Sequence, residues 1–497
     1  MTLRKVLIAN RGEIAVRVAR ACRELGIGSV AVFSEADRLA PHVLAADEAH
    51  GIGPAPAAAS YLQAERLIET ALRTGCDALH PGYGFLAERA FFAEQVTSAG
   101  LVFIGPSASA IAAMGDKTQA RQRMMAAGVP VVPGNAEALP DPDAVAAVAA
   151  GLGYPVLLKA AAGGGGKGMR VVHAPAELRR AFEATTHEAR AAFGDGSVYV
   201  EKYLAEPRHI EVQVLADGHG TVLHLGERDC SVQRRHQKMI EEAPSPALTP
   251  ALRARMGAAA VSAARAVDYV GAGTVEFLFQ DGEFYFLEMN TRIQVEHPVT
   301  ELVTGIDLVQ WQLRIAGGEP LELAQDDVRL VGHALECRIT SEDPANGFLP
   351  STGRIELLDY PSGPGVRWDG GIVEGYAVSL YYDPLLGKLI VHAPDRAAAV
   401  ARMQRALHEL RIIGVETSIP FHRAVLAEPD FRDGRVDIRY LEKHPQVLTA
   451  GPDEEALRAA ALAAALLEEQ RRQRESVPRI DPGTPGASGW RQQGWRA

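Results

Sequence analysis

Polar side chains occupy alternate positions in segment 286–297, and this pattern constrains the fold more than any other feature of the chain. The residues at its even positions are Glu288, Asn290, Arg292, Gln294 and Glu296. In an extended strand, alternate residues face one side, so the pattern predicts five polar side chains on one face. Such a face resists burial unless charged ligands lie against it. We therefore interpret it as a reaction centre for a metal ion and a small anion; the alternative is a solvated strand face.

A β-hairpin that turns at Asp281-Gly282 precedes this segment. A two-residue turn would put Glu276 and Glu288 on opposite faces of the hairpin. A three-residue loop with Gly in the left-handed conformation would bring both carboxylates to the same side, at near-diagonal positions. We predict the longer loop, because two adjacent carboxylates can hold Mg²⁺ and leave coordination sites for phosphate oxygens.

Length and charge limit the function classes. A chain of 497 residues with 47% apolar content predicts about three globular domains. Its net charge of −11 argues against a general nucleic-acid or anionic-membrane surface. Cationic side chains nevertheless cluster locally, which suggests a phosphate pocket. They are Lys159, Lys167, Arg234, Arg235, Lys238 and Arg292.

The four cysteines lie far apart without CxxC spacing, so neither a disulfide framework nor a structural zinc site is indicated. Cys230 and His236 lack a second Cys/His pair nearby, and we expect an anion-facing set of Arg, His and Lys there instead of a metal. The N-terminal apolar run is too short for a signal peptide, and no run reaches transmembrane length. These features predict a cytoplasmic protein with no membrane partner.

The first segment predicts a parallel sheet, because apolar strands at 5–9 and 29–33 flank an amphipathic helix at 14–25. Its strand-to-helix turn lacks GxGxxG, so dinucleotide binding is not supported. A formal GxGxxG match occurs at 163–168, but strand-like residues follow it and Lys167 precedes Gly rather than Ser or Thr. We predict a glycine lid that joins two antiparallel strands and covers a triphosphate, with a flexible linker as the alternative.

Several motifs occur in the order typical of one family: segments 9–14, 80–88, the glycine lid, 234–238 and 288–297. Together they resemble biotin carboxylase over about residues 1 to 447. The resemblance implies an α/β ATP-grasp fold with an N-terminal parallel α/β domain at 1–115, an ATP-grasp domain at 121–318 with a lid at about 131–204, and a C-terminal biotin carboxylase domain at 334–445.

The resemblance also implies the reaction, an ATP- and bicarbonate-dependent carboxylation of biotin on a separate carrier protein through carboxyphosphate. Mg²⁺, with Mn²⁺ as an alternative, is the implied metal. Its implied ligands are Glu276, Glu288 and Asn290. The implied ATP-binding residues are Lys117, Lys159, Gly165, Gly166, Glu201, Lys202, Tyr203, Leu204, His209, Gln233, His236, Glu276 and Glu288.

The remaining implied residues handle bicarbonate and biotin. Bicarbonate is held by Lys238, Arg292, Gln294 and the Val295 backbone. Glu296 is the general base, and Arg338 stabilises the biotin enolate. Two rival classes stay open at this point. Another ATP-grasp ligase would not need Arg292, Glu296 and Arg338 together, and a non-catalytic nucleotide-binding regulator would be expected to lose Glu296 or Lys238.

The usual biotin attachment sequence, Met-Lys flanked by small and apolar residues, is absent from the chain. We therefore expect a separate biotin carboxyl carrier protein and a separate carboxyltransferase. Acetyl-CoA is the default acyl acceptor, and a propionyl-CoA, other acyl-CoA or pyruvate carboxylase is the alternative. The resemblance also implies a homodimer.

The tail at 451–497 is predicted to begin with a helix at 453–474, with Asp453 as its cap, acids in its first turn and arginines in its last. A segment rich in Pro, Gly and Ser follows and should be flexible. Trp490 and Trp495, each beside an Arg, close the chain, and aromatic residues near Arg are typical interface anchors. We expect this tail to tether the chain to a carboxyltransferase or carrier; an unselected floppy end is the alternative.

Overall fold

The computed structural model describes residues 2–135, 139, 141–160, 168–193, 196–449 and 454–476. The chain divides into two compact units, Met1–Thr449 and Ala450–Ala497. The predicted lid residues Gly165 and Gly166 and the predicted helix cap Asp453 lie outside the described residues, as do Trp490 and Trp495.

The first sheet is parallel, with strand order β3-β2-β1-β4-β5. Its strands are β1 (Lys5–Ile8), β2 (Gly28–Ser34), β3 (Glu48–Gly53), β4 (Ala78–His80) and β5 (Val102–Phe103). The accompanying helices are α1 (Gly12–Glu24), α2 (Pro41–Ala45), α3 (Ala64–Arg73), α4 (Ala90–Ser98) and α5 (Ala108–Gly115). The predicted β-α-β arrangement is confirmed, and the core strand residues are buried because helices cover a parallel sheet.

A small three-stranded sheet follows α6 (Lys117–Ala126). It has the order β7-β6-β8, with α7 (Pro142–Leu152) and α8 (Pro175–Phe193) packed near it. Its strands are β6 (Val156–Ala160), β7 (Met169–Val172) and β8 (Val198–Lys202). β6 and β7 are antiparallel neighbours, so the prediction that the glycine segment joins two antiparallel strands is confirmed.

The rest of the first unit is built mainly from antiparallel strands. They are β9 (Arg208–Ala216), β10 (Val222–Arg234), β11 (Gln237–Ala243), β12 (Gly271–Gln280), β13 (Glu283–Asn290), β14 (His333–Thr340), β15 (Glu342–Asp343), β16 (Leu349–Pro350), β17 (Gly353–Arg354), β18 (Leu357–Asp359), β19 (Val366–Gly370), β20 (Ala377–Val378), β21 (Leu385–Ala393) and β22 (Arg411–Ile413). The helices are α9 (Pro250–Arg265), α10 (His297–Thr304), α11 (Leu308–Ala316), α12 (Arg396–Glu409), α13 (Ile419–Ala427), α14 (Pro429–Arg432) and α15 (Tyr440–Lys443).

Eight of these strands form one sheet, in the order β13-β12-β9-β10-β11-β14-β21-β19. The expected ATP-grasp and C-terminal domains share this sheet, because β11 pairs with β14. Along β9, Ile210, Val212 and Val214 pack in an apolar cluster that includes residues of α9. The alternate residues His209, Glu211 and Gln213 lie on the other face, as the sequence predicted, and they too are buried. A buried polar face requires charged or hydrogen-bonding partners.

The hairpin between β12 and β13 differs from the prediction. Its turn has two residues, Asp281 and Gly282, both with positive φ, and Gln280 pairs directly with Glu283. The predicted three-residue loop is therefore wrong. A bulge at Leu287 shifts the register instead, so that Glu276 lies directly opposite Glu288 rather than diagonal to it.

The predicted extended strand over 286–297 is also wrong beyond Asn290, where β13 ends. Residues 291–296 are irregular, and α10 begins at His297 with Pro298 in its first turn. Proline suits the first turn of a helix, and this start signal overrides the alternating pattern. The second unit contains α16 (Glu454–Ser476), which agrees with the predicted tail helix. Among the described helices, none combines the length and apolarity that crossing a bilayer requires.

Candidate active site

Charged residues form a row across four neighbouring strands of the eight-stranded sheet. Arg228 on β10 lies opposite Glu211 on β9, Glu211 lies opposite Glu276 on β12, and Glu276 lies opposite Glu288 on β13. Like charges directly opposite each other destabilise a sheet. Three carboxylates in one row therefore require cations against them.

Lys238 on β11 supplies one such cation. Its Nζ donates to Glu276 Oε1 at 2.8 Å and to Glu296 Oε1 at 2.7 Å, and it also donates to Glu211 Oε2. All three carboxylates are buried. A buried charge of this kind is tolerated only when paired and hydrogen-bonded, so the lysine and its acids form one electrostatic unit.

Glu276 receives further donors from the segment after β13. Asn290 Nδ2 and Gln294 Nε2 each donate to Glu276 Oε1 at 2.9 Å, and His209 Nε2 lies 3.0 Å from Oε2. Burial by itself would raise the pKa of the Glu276 carboxyl, but Lys238 and His209 outweigh burial and hold that pKa well below its ordinary value. Glu276 is therefore a carboxylate at neutral pH.

Arg228 is a site residue that the sequence prediction missed. Its fully buried guanidinium contacts Glu211 and donates to Gln294 Oε1 at 2.8 Å, which orients the Gln294 amide toward Glu276. Its other acceptors are Gln213 Oε1 at 2.7 Å, Thr300 Oγ1 at 2.9 Å and Thr274 Oγ1 at 3.1 Å. The sequence signal that could have identified Arg228 is a charged residue in the middle of a strand whose neighbours are buried.

Glu296 lies between two cations. Arg338 Nη2 donates to Glu296 Oε2 at 2.8 Å, on the opposite oxygen from Lys238. Burial would raise the pKa of the Glu296 carboxyl, but Lys238, Arg338 and Arg228 outweigh burial and hold that pKa well below its ordinary value. Glu296 is therefore a carboxylate at neutral pH.

Arg338 also donates from Nε to Glu241 Oε1 at 2.6 Å, and Glu241 lies directly opposite Glu336 across β11 and β14. Burial raises the pKa of Glu241 to about 7 and raises the pKa of Glu336 well above its ordinary value. Within the described part of the chain, neither oxygen of Glu336 has a hydrogen-bond partner. The sequence prediction missed both acids.

Arg292 lies at the edge of this cluster. Its Nη2 donates to Asn290 Oδ1 at 3.1 Å, and its Nε donates to Glu88 Oε2 at 3.0 Å. Glu88, which belongs to the 80–88 motif, also accepts the Thr291 amide N–H at 3.3 Å. The first domain therefore holds the beginning of segment 291–296.

The residues expected to bind nucleotide lie partly apart from the Lys238 cluster. Lys159 Nζ pairs with Glu201 Oε2 at 2.5 Å across the small sheet. The amide N–H of Lys202 donates to the Pro133 carbonyl at 2.8 Å and that of Tyr203 to the Pro155 carbonyl at 3.2 Å. Leu204 is half-buried, and Lys117 is the first residue of α6, with its side chain outside the described part.

Gln233 and His236 lie near the β10–β11 hairpin. Gln233 Nε2 donates to the Cys230 carbonyl at 2.8 Å. His236 is exposed in the two-residue turn with Arg235, where both residues have positive φ. Cys230 lies within reach of Glu211 and Glu296, but burial raises the pKa of its thiol well above its ordinary value, which disfavours the thiolate that a metal needs.

The donor types of Glu276, Glu288 and Asn290 suit a magnesium ion, although Asn290 directs its Nδ2 at Glu276 and its Oδ1 at Arg292 in this structure. Two directly opposed carboxylates and a neighbouring amide carbonyl, on adjacent strands, are the hard oxygen donors that Mg²⁺ prefers. A divalent cation would also offset the repulsion between the two acids.

Three family models match the chain in sequence. They are "Biotin carboxylase, N-terminal domain" over residues 2–111, "Carbamoyl-phosphate synthase L chain, ATP binding domain" over 116–324 and "Biotin carboxylase C-terminal domain" over 336–443. A pyruvate carboxylase subunit of Methanothermobacter thermautotrophicus is 53% identical over 446 residues, which cover 90% of this chain and 91% of that protein. The biotin carboxylase of Haemophilus influenzae is 53% identical over 442 residues, covering 89% and 98%.

Solved structures give the same result. The biotin carboxylase domain dimer of Hydrogenobacter thermophilus 2-oxoglutarate carboxylase, in complex with MgADP, ADP and bicarbonate, matches with a TM-score of 0.83 and 50% identity, covering 91% of this chain and 100% of that chain. The Campylobacter jejuni biotin carboxylase complex with a β,γ-ATP ligand matches with a TM-score of 0.83 and 47% identity, covering 89% and 99%. The ATP-grasp fold predicted from sequence is confirmed.

Proposed function

Because this chain belongs to the biotin carboxylase family, we propose that it carboxylates biotin on a separate carrier protein, as a component of an acetyl-CoA carboxylase. The chain is an ATP-dependent ligase that forms a carbon–nitrogen bond. The observation that carries the proposal is the contact of Glu296 with both Lys238 and Arg338, which places an unprotonated acid between two cations.

Bicarbonate binds beside Glu296 in this proposal. Lys238, Arg292, Gln294 and the Val295 backbone hold the anion, and Arg292 supplies the planar fork that suits two oxygens. Glu296, whose carboxylate is ionised and lies beside Lys238 and Arg338, is the proposed acceptor of the bicarbonate proton. The bicarbonate oxygen then attacks the γ-phosphorus of ATP, and ADP leaves.

ATP binds between the small sheet and the eight-stranded sheet. Lys117, Lys159 and the glycine-lid residues Gly165 and Gly166 neutralise and cover the phosphates. The residues proposed for the adenine pocket are Glu201, Lys202, Tyr203 and Leu204. Those proposed for the ribose and phosphates are His209, Gln233 and His236. Lys159 pairs with Glu201 in this structure, so binding the phosphates requires Lys159 to leave that carboxylate.

Mg²⁺ is the family's metal, and Glu276, Glu288 and Asn290 are the proposed ligands, with Mn²⁺ acceptable to the same oxygens. When bound, the ion offsets repulsion between ATP and the incoming anion. Lys238 donates to Glu276, one of these carboxylates, and draws bicarbonate toward the phosphates.

The carboxyphosphate that forms breaks down to CO₂ and phosphate, and the phosphate takes the N1′ proton of biotin. Arg338 stabilises the negative charge of the biotin enolate, which then captures CO₂. The position of Arg338 supports this role. Its Nη2 lies 2.8 Å from Glu296, the proposed base, and its Nε donates to Glu241.

Two candidate pathways differ in the acceptor that receives the carboxyl group from biotin. Acetyl-CoA is the proposed acceptor, whereas the similar pyruvate carboxylase subunit of Methanothermobacter thermautotrophicus and the 2-oxoglutarate carboxylase domain of Hydrogenobacter thermophilus favour a 2-oxo acid as the second candidate. Reconstitution with purified carrier protein and each candidate carboxyltransferase, with radiolabelled bicarbonate, tests this. We expect acid-stable label with acetyl-CoA; label only with pyruvate or 2-oxoglutarate would overturn the acetyl-CoA assignment.

Two further parts of the proposal concern partners. Lys238, which precedes Met239, lies in the site and is not an attachment lysine, and the proposed biotin carrier is a separate protein. Mass spectrometry after co-expression with a biotin ligase should find no covalent biotin on this chain, and biotinylated lysine would refute the separate carrier. A homodimer is the proposed assembly, and sedimentation at monomer mass would exclude it.

A further inference from the structure

Segment 291–296 contains most of the proposed bicarbonate clamp, yet it lies between β13 and α10 without regular structure. An irregular segment has no ladder of backbone hydrogen bonds to fix its peptide groups. Two long backbone bonds reach it from α10, from the His297 N–H to the Gln294 carbonyl at 3.4 Å and from the Val299 N–H to the Glu296 carbonyl at 3.3 Å, and side chains from other elements supply the shorter contacts. Glu88 holds its beginning through Thr291 and Arg292, as described above.

His297 fixes the peptide group between Gln294 and Val295. Its Nδ1 lies 2.8 Å from the Gln294 carbonyl oxygen, so Nδ1 carries the proton and donates it. Burial lowers the pKa of His297 well below its ordinary value, and the charges of Lys388 and Arg17 lower it further, so the ring is neutral. Because a peptide group is planar, the held carbonyl directs the Val295 N–H to the opposite side.

Lys388 on β21 fixes the next peptide group. Its Nζ donates to the Val295 carbonyl oxygen at 2.7 Å, and its side chain is fully buried. Lys388 is the direct cross-strand neighbour of Arg338 on β14. The two cations therefore hold Glu296 from two sides: Lys388 donates to the carbonyl of Val295, the residue before it, and Arg338 donates to the Glu296 carboxylate.

The first domain holds Lys388 in turn. Its Nζ lies 3.1 Å from Glu13 Oε1, and the Tyr83 hydroxyl donates to the same oxygen. Asn10 Nδ2 donates to the carbonyls of Pro81 and Tyr83, at 2.7 Å each. The 9–14 and 80–88 motifs, for which the proposed chemistry has no direct use, thus meet at the anchor of Lys388.

We propose that Lys388, held by Glu13 and Tyr83, is a positioning residue for the bicarbonate clamp: it fixes the Val295 carbonyl and so sets the directions of the Val295 backbone and the Glu296 side chain. This inference rests on the proposed function. If Lys388 were only the partner of a structural ion pair, it would need to neutralise Glu13 but would not need its hydrogen bond to Val295.

Two variants separate these explanations. Lys388→Met removes the ammonium but leaves Glu13 buried without its cation, which destabilises the protein. The double variant Glu13→Gln/Lys388→Met removes both charges and keeps similar volumes, so thermal stability should recover. The matched control is Glu48→Gln/Lys5→Met, since Lys5 likewise pairs with a carboxylate, Glu48 at 2.5 Å, and donates to a backbone carbonyl, Thr74 at 2.8 Å.

The measurement is steady-state ADP release with free biotin, with bicarbonate and ATP varied separately. We expect the double variant to raise the KM for bicarbonate about tenfold or more, as loss of a hydrogen bond from a charged group does, with little change in the KM for ATP. The control should keep both KM values.

A wild-type KM for bicarbonate in the double variant, or loss of fold in both Lys388 variants, would overturn the positioning role and leave Lys388 a stability residue. Absence of bicarbonate-dependent ADP release by the unmodified chain is a different result: it would overturn the proposed function and this inference with it.

Discussion

Glu241 and Glu242 are consecutive residues of β11 that face opposite sides of the sheet, and their surroundings differ. Glu242 belongs to a closed ion-pair group: His333 Nε2 lies 2.8 Å and Arg396 Nε 2.6 Å from its Oε2, and Arg396 Nη2 lies 3.1 Å from its Oε1. Glu241 shares Arg338 with Glu296 and faces another buried acid, Glu336.

The pKa values of the two residues shift in opposite directions. Burial would raise the pKa of Glu242, but His333 and Arg396 outweigh burial and lower it to about 2. Burial raises the pKa of Glu241 to about 7, and Arg338 only partly opposes it. Glu242 has two cationic partners, whereas Glu241 shares its single arginine, Arg338, with Glu296, so the charge of Arg338 is divided between two acids.

Removing the proposed metal ligands should reduce activity most. Glu276→Gln combined with Glu288→Gln should abolish Mg·ATP use, because amides cannot supply the lost negative charge. ADP release over a range of Mg²⁺ concentrations measures this. ATP hydrolysis by the double variant at the wild-type Mg²⁺ optimum would show that the metal site lies elsewhere.

Glu296→Gln should reduce bicarbonate-dependent turnover by about a hundredfold or more, the usual contribution of a general base, while nucleotide affinity is kept. The pKa of Glu296 is held below its ordinary value, so its carboxylate form persists above that lowered pKa, and its protonation should not limit activity near neutral pH. Near-normal turnover of the variant would exclude Glu296 as the base.

Glu242→Gln tests the structural side of the comparison. The folded-state pKa of about 2 lies below the ordinary 4.5, so the ionised group stabilises the fold above pH 4.5 and loses this effect as pH falls toward 2. The shift corresponds to about 3 kcal/mol. The variant should melt below wild type at pH 7, with a smaller difference at pH 3, and keep its kinetic constants.

A control for that experiment is Glu442→Gln, since this exposed carboxylate pairs with Arg439 at the surface. Its melting temperature should match wild type, because exposed pairs contribute little. A strong loss of turnover in Glu242→Gln, measured well below its melting temperature, would show that the two faces of β11 are not functionally distinct.

The sequence alone predicted the parallel first domain, the antiparallel strands around the glycine segment and most of the charged residues that meet at Lys238. These follow from local periodicity and from motif order. It did not predict the bulge at Leu287 or the end of β13 at Asn290, because strand register and helix starts depend on the competition between neighbouring elements. Arg228 was missed because its partners come from distant segments.

The smallest expected effect is truncation after Ala450. The Lys238 cluster and the ion pairs of Glu242 both lie within Met1–Thr449, so free-biotin carboxylation by the truncated chain should be unchanged. If the tail is a tether, the truncated chain should sediment apart from carrier and carboxyltransferase proteins that the full chain retains. An identical sedimentation profile would rule out the tether, and lost free-biotin activity would extend the site beyond the first unit.

Bicarbonate-dependent ADP release by the purified chain, with and without free biotin, tests most directly whether the Lys238 cluster is the reaction centre of a biotin carboxylase. We expect slow ADP release with ATP and Mg²⁺ alone, an increase with bicarbonate, and a further increase with biotin accompanied by carboxybiotin. ADP release that requires bicarbonate but does not respond to biotin would show that the cluster is not the reaction centre of a biotin carboxylase.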